Sequence, residues 1–258
     1  MLLQPFIAAL LVYHRLTWQV LPALAAVSLV FLVRDPLIVL ARQKWVWREK
    51  RRETSADRLY LAIELMLVLL SGALLLTAWP LWILVATGGA AGVLTILAVY
   101  MTVRNRQRAV WLQALSAAGL SSSALAACLA ISPTVPPWGW WIWALHSAHF
   151  LSAILVVHAR LEARITLRKP GAQLTRAFLA MRREAAIVQA GMAIAAALLF
   201  ITGHSLYGLA LAAAAAFHLL DLYKLHTTGA LSLPMKSVGK RALAASSVFT
   251  LLVVAGSL

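Results

Sequence analysis

The sequence predicts an all-α fold, a polytopic membrane helix bundle of about nine transmembrane helices, in two pseudo-symmetric four-helix halves plus one. Three observations carry that prediction. Of 258 residues, 62% are hydrophobic and only 12% charged, whereas a soluble domain has about half apolar and about a quarter charged residues. The mean hydropathy is +0.86. The apolar residues fall into runs long enough to span hydrocarbon, and the basic residues fall into alternate connections between those runs.

The first run, MLLQPFIAALLVY, is followed by His14 and Arg15 and has no basic segment before it, so it does not read as a signal peptide. Thirteen helical residues rise only about 20 Å, against about 30 Å of hydrocarbon. The first span therefore looks cut short. The second run is Leu16 to Leu40, with Arg34-Asp35-Pro36 reading as a helix break. The basic loop ARQKWVWREKRRETSADR follows. Leu59 to Ala78 is the third run and carries Glu64; Trp79-Pro80-Leu81-Trp82 turns the chain at the opposite interface. The fourth run ends near Val103, before the basic turn Arg104-Asn105-Arg106-Gln107-Arg108.

The fifth run, Ala109 to Ile131, is rich in small residues from Ser116 to Ser123, which let helices approach closely in lipid. Pro133, Pro136 and Pro137 precede the sixth. That helix opens on four tryptophans (Trp138, Trp140, Trp141 and Trp143) and leaves through Ala159-Arg160-Leu161-Glu162-Ala163-Arg164. In the basic loop after it, Leu174, Phe178 and Met181 suggest a short interfacial helix. Glu184 to Thr202, Leu206 to Tyr223 and Val238 to Leu258 complete the set. The tryptophans read as interfacial belts, and the single cysteine, Cys128, as a buried structural thiol.

The formal charge of +15 comes from 23 Lys and Arg against 8 Asp and Glu. Those cations sit in loops between apolar runs, so their partners are membrane lipids and not nucleic acid. The connections after runs two, four, six and eight hold nearly all of them, which places the N-terminus in the cytoplasm and the C-terminus outside an inner (cytoplasmic) membrane. Those four connections alternate at about seventeen, five, twenty-five and twelve residues, which suggests internal pseudo-symmetry with a site between halves. Residues 1–258 read as a single transmembrane domain.

Polar side chains inside the membrane are costly unless paired or facing a cavity. Arg34, Asp35, Glu64, Gln113, His158, Glu184, Gln189 and Asp221 fall in the basic half of their helices, with Arg104, Arg106 and Arg160 at the same side. Two readings stand: a basic cavity for an anionic ligand, or internal ion pairs such as Arg34 with Asp221 or Glu64 with Arg104. Three residues apart, His146 and His149 share a face, and His218 and Asp221 repeat that spacing. Metal or bis-histidine haem ligation at His146, His149 and His218 competes with simple hydrogen bonding between helices. His158, at the exit of its helix, suits a headgroup or phosphate contact. Phosphate-binding glycine loops, metalloprotease pairs and nucleophile elbows are absent.

The opening MLLQPFIAAL, Arg34-Asp35-Pro36, the turn RNRQRAVWLQ and the helix HSAHFLSAILVVHARLEAR together resemble the YwiC-like family of bacterial integral membrane proteins. That family implies a membrane protein without an established activity. Its members carry a basic segment before the Met-Leu-Leu-x-Pro-Phe stretch, so the natural chain is expected to begin upstream of Met1. The architecture is similar, more distantly, to the UbiA-type intramembrane prenyltransferases, which bind an isoprenoid diphosphate through magnesium at the loops after helices two and six. Here those places offer Asp35 and Glu162. Two lone carboxylates are a poor magnesium clamp, whereas arginines bind phosphate directly.

Three functions follow as expectations. The first is an enzyme acting on a phosphorylated lipid or isoprenoid. In it Arg34, Glu64, Arg104, Arg106, His158 and Arg160 form the ligand site, and Asp35, Glu162 or Asp221 serve as acid-base or metal groups. The second is a transporter or lipid-handling protein for a small anionic solute, and the third a haem- or quinone-associated membrane subunit.

Overall fold

The computed structural model of the protein describes residues 2–46, 54–106, 108–167, 176–225 and 235–258. Among these residues the regular structure is entirely helical. The helices are α1 (Leu3–Tyr13), α2 (Val20–Trp45), α3 (Ser55–Leu75), α4 (Leu81–Val103), α5 (Val110–Ser121), α6 (Ser123–Ile131), α7 (Pro137–Leu167), α8 (Arg176–Ile201), α9 (Ser205–Lys224) and α10 (Met235–Ser257). With α5 and α6 taken as one span, Val110–Ile131, 8 of the described helical segments are long and apolar enough to cross a membrane. The protein is a polytopic membrane protein. Helix α1 has 11 residues, about 16 Å, and is too short to cross hydrocarbon. It ends at His14, whose left-handed backbone (φ 50°) sends its N–H to the Leu10 carbonyl.

Three expectations about element boundaries need correction. The expected break at Arg34-Asp35-Pro36 is absent, because α2 runs unbroken through Pro36. Proline removes one backbone donor, whereas ending the helix in lipid would strand several more. A break falls instead at Ser122, between α5 and α6. There the Ser122 hydroxyl donates to the Gly119 carbonyl at 2.7 Å, a back-bond of the kind that competes with the helix ladder. The short interfacial helix is also not separate. Phe178 and Met181 belong to the first turns of the continuous α8, with Phe178 fully buried, while Leu174 lies outside the described residues. No Pro or Gly interrupts residues 176–190, so good helix formers carry the helix into the basic segment. Helix α7 likewise continues past its expected exit to Leu167.

Packing divides the chain into two compact units, Met1–Trp143 and Ala144–Leu258. In the first, α2 packs against α3, α4 and α6, and α1 lies on α6. Side chains from outside α5 and α6 seek the carbonyls of that bent span. Trp79 Nε1–H donates to Leu129 O at 2.8 Å, Trp143 Nε1–H to Ala118 O at 3.0 Å and Thr17 Oγ1–H to Ala130 O at 2.7 Å. From α6 itself, the Ser123 hydroxyl donates to Leu2 O at 2.8 Å. Trp79 is 7% exposed, so it works as a helix clamp as well as an interfacial residue.

In the second unit the helices alternate in direction. On α9 and α10, Tyr207 pairs with Ser257 and Asp221 with Arg241, an antiparallel register. The contacts of His146 with Thr250 and of His149 with Ser246 show the same for α7 and α10. Glycine lets α8 and α9 close up: a Cβ on Gly208 would lie 2.9 Å from the Ala196 carbonyl.

Candidate functional site: an apolar cavity and a buried polar row

The first unit contains a cavity of about 860 Å³ between α2, α3, α4 and α5. Val27, Val30, Leu69, Leu94, Ala98 and Leu115 are typical of its walls, and Arg34 is the one charged residue lining it among the described residues. Helix α2 is 26 residues long and Arg34 stands well inside it, so the stem is held among apolar neighbours. Its guanidinium lies 5.3 Å over the Phe31 ring and its Nη2 is 3.6 Å from Asp35 Oδ1. Arg34 Nε is buried with no hydrogen-bond partner among the described residues. The same holds for Glu64 Oε2, on α3, one turn before the cavity-lining Val68. Arg104 and Arg106 are exposed at the end of α4, with the Arg104 guanidinium 5.5 Å over Tyr100.

The second unit buries a row of polar side chains. His146 Nε2 meets Thr250 Oγ1 at 3.3 Å and His149 Nε2 meets Ser246 Oγ at 2.8 Å. Both rings are essentially buried, at 0% and 1% exposure. The His149 ring stacks on Phe249 with centroids 4.3 Å apart and lies 5.6 Å from the His218 ring. Ser152 and Gln189 bind each other between α7 and α8. Toward the basic end, Arg241 Nη2 donates to Asp221 Oδ1 at 3.0 Å, and the buried Arg160 lies within electrostatic reach of both. No group of three or more His, Cys, Asp or Glu suited to a metal ion occurs among the described residues.

Residues 1–128 match the family of YwiC-like proteins. The matched part holds α1 to α4, all of α5 and most of α6. It includes the opening MLLQPFIAAL, Arg34-Asp35-Pro36 and the RNRQRAVWLQ turn; the histidine-bearing α7 lies beyond it. No curated protein and no solved structure matches the chain.

Arg34, Asp35, Glu64, Arg104 and Arg106 fall in the first unit. Of these, Arg34 lines the cavity, while Asp35 is exposed beside it. His146, His149, His158, Arg160, Glu162, His218 and Asp221 fall in the second. The structure joins His149 to His218, and Asp221 to Arg241. Arg241 was not among the polar residues singled out from the sequence, although it lies near the start of the expected last run. Ser246 and Thr250 were also missed. In a helix such hydroxyls can bond the carbonyl four residues back, as Thr250 does to Ser246 O at 2.8 Å, so their presence alone signals nothing.

Proposed function

We propose that this protein handles an anionic lipid, whose hydrocarbon enters the α2–α5 cavity and whose phosphate meets Arg34. The observation that carries this reading is a cavity with an apolar wall and a single lining charge, that of Arg34. Its volume of about 860 Å³ falls in the range of about 300–1,000 Å³ common for ligand pockets. A guanidinium offers a planar fork matched to phosphate oxygens, and one with a buried unused N–H has donor capacity to spare. Arg104 and Arg106, exposed at the end of α4, add a positive field that draws anionic headgroups to that end. Glu64, on α3 of the same unit, completes the proposed ligand set.

In this reading the basic helix ends face the cytoplasm, and the membrane is the inner one. An isoprenoid diphosphate satisfies the same chemistry as a phospholipid: a branched or straight hydrocarbon joined to phosphate. Asp35 is the carboxylate of this unit that a reaction on such a ligand would draw on. Asp35 is already paired with Arg34, which favours lipid handling over chemistry.

The test is to purify the protein with its native lipids, extract them and identify them by mass spectrometry. An anionic lipid enriched several-fold over the bulk membrane, and lost in Arg34→Ala but partly kept in Arg34→Lys, is the expected result. Bulk membrane composition in the wild-type extract, unchanged by Arg34→Ala, would overturn the reading. An enriched isoprenoid diphosphate and an enriched phospholipid would identify different sources of the same chemistry.

A further inference from the structure

In the second unit, polar side chains follow one another through an otherwise apolar bundle. Thr250 meets His146, Ser246 meets His149, and the His149 and His218 rings lie 5.6 Å apart. Asp221, three residues further along α9, is held by Arg241. Spacings of three or four residues keep each successive group on one helix face: His146 and His149 on α7, His218 and Asp221 on α9, Ser246 and Thr250 on α10. In the other direction the row stops. Val253 and Val254 are buried beyond Thr250, before the next hydroxyl pair, Tyr207 with Ser257.

Three ring nitrogens in this row have no hydrogen-bond partner among the described residues: His149 Nδ1, His218 Nδ1 and His218 Nε2. Both rings are almost wholly buried, at 1% and 4% exposure. Polar atoms so placed need a partner, since hydrocarbon offers none. Rings with centroids 5.6 Å apart leave room between them only for a small partner. Water at a polar site is the ordinary solution, and an imidazole beside water is a proton acceptor.

We propose that His149 and His218 form an intramembrane proton-binding site, reached by water from the end of the bundle that carries Asp221 and Arg241. Rows of histidines and carboxylates inside a membrane are the usual material of proton relays. With Nε2–H donating to Ser246 Oγ, the Nδ1 lone pair of His149 is left to accept, and His218 presents its own. The proton comes from bulk water and returns to it, and no electron moves. The charged and titratable groups facing the pair are His146 and Arg160 on α7, Asp221 on α9 and Arg241 on α10. Asp221 lies within electrostatic reach of His218; Arg160 lies within reach of Asp221 and Arg241 is tied to it. Val253 and Val254 close the far side, so the site exchanges with one face only.

The test uses the full chain, labelled with 15N-histidine, in lipid bilayers. His149→Gln and His218→Gln assign the two rings by the signals each loses. The expected result has two parts: magnetisation passes from water to both rings, and their 15N shifts move together as buffer pH falls through the ordinary histidine range, about pH 6.5, or below it. Asp221→Asn, which removes the nearby negative charge, moves that transition to lower pH. Rings without water contact overturn the proposal. So do shifts that stay constant to the lowest pH at which the protein remains folded and monodisperse, because water contact alone describes only a buried structural water. Should either glutamine variant fail to fold, the wild-type spectra decide the matter through the summed signal of the buried rings. Gly191→Ala, which places a methyl in open space, serves as the control and leaves both readouts unchanged.

Discussion

Ser152 on α7 and Gln189 on α8 bind each other twice, with the hydroxyl donating to Oε1 at 3.0 Å and accepting from Nε2 at 2.7 Å. Both residues are 0% exposed, so water cannot replace either partner. Gln189→Leu leaves the Ser152 hydroxyl to bond its own helix, while Ser152→Ala leaves a longer amide stranded. The serine substitution is therefore expected to cost about 1–3 kcal/mol, the penalty of an unsatisfied buried amide. The double variant should recover about 0.6–1.7 kcal/mol of coupling, the range for hydrogen bonds between membrane helices. Unfolding of the purified protein in mixed micelles measures both. Additive single costs would show that the pair is not an energetic unit.

Trp79 gives a second test, because its two roles separate. Its ring is 7% exposed and its Nε1–H binds Leu129 O at 2.8 Å, whereas Trp82, three residues on, is 70% exposed. Trp79→Phe keeps the aromatic bulk and removes the donor, and should cost about 0.5–1.5 kcal/mol. Trp82→Phe removes only an interfacial contact and should leave stability nearly unchanged. Thermal melts in one detergent compare the two. Equal effects would return Trp79 to the status of a belt residue.

The close approach of α8 and α9 rests on a missing side chain. At Gly208 a methyl would lie 2.9 Å from the Ala196 carbonyl and 3.1 Å from the Phe200 ring. Gly208→Ala must push backbone from backbone, and overpacking of this kind costs about 1–3 kcal/mol. Gly191, on α8, has nothing within 4 Å of its Cβ position. Gly191→Ala should be neutral or stabilise by up to about 1 kcal/mol, through helix propensity. A fall in melting temperature for the first and none for the second is the expected pattern.

These residues mark how far the sequence could be read. The spans were legible because hydrocarbon thickness and backbone hydrogen bonding leave few choices: Leu81–Val103 and Val110–Ile131 fall close to where the apolar runs place them. The break was not. Pro36 carries the stronger local signal, yet the interruption falls at Ser122, whose hydroxyl donates to Gly119 O. Around the candidate sites the sequence supplied the shared face of His146 and His149, since helical spacing dictates it. It could not supply their partners. Thr250, Ser246 and Phe249 come from α10, about a hundred residues away, and only packing decides which face of α10 they meet. The expectation that Glu64 pairs with Arg104 had the same weakness: Glu64 Oε2 ends with no partner among the described residues.

The orientation of the chain is the last prediction, and it rests on charge. The exits of α2, α4, α7 and α9 are basic, while the turns on the other side hold Arg15 alone; that asymmetry predicts that the basic turns face the cytoplasm. Arg108 and Thr134 are exposed in turns at opposite ends of the α5–α6 span, so a cysteine at each reports one side. The native Cys128 does not interfere, being fully buried, and a charged maleimide will not reach it. In sealed vesicles whose periplasmic face is outward, Thr134→Cys should react with a membrane-impermeant maleimide at once. Arg108→Cys should react only after the vesicles are opened. The reverse order would invert the whole topology, and with it the side from which the proposed lipid would reach Arg34, Arg104 and Arg106.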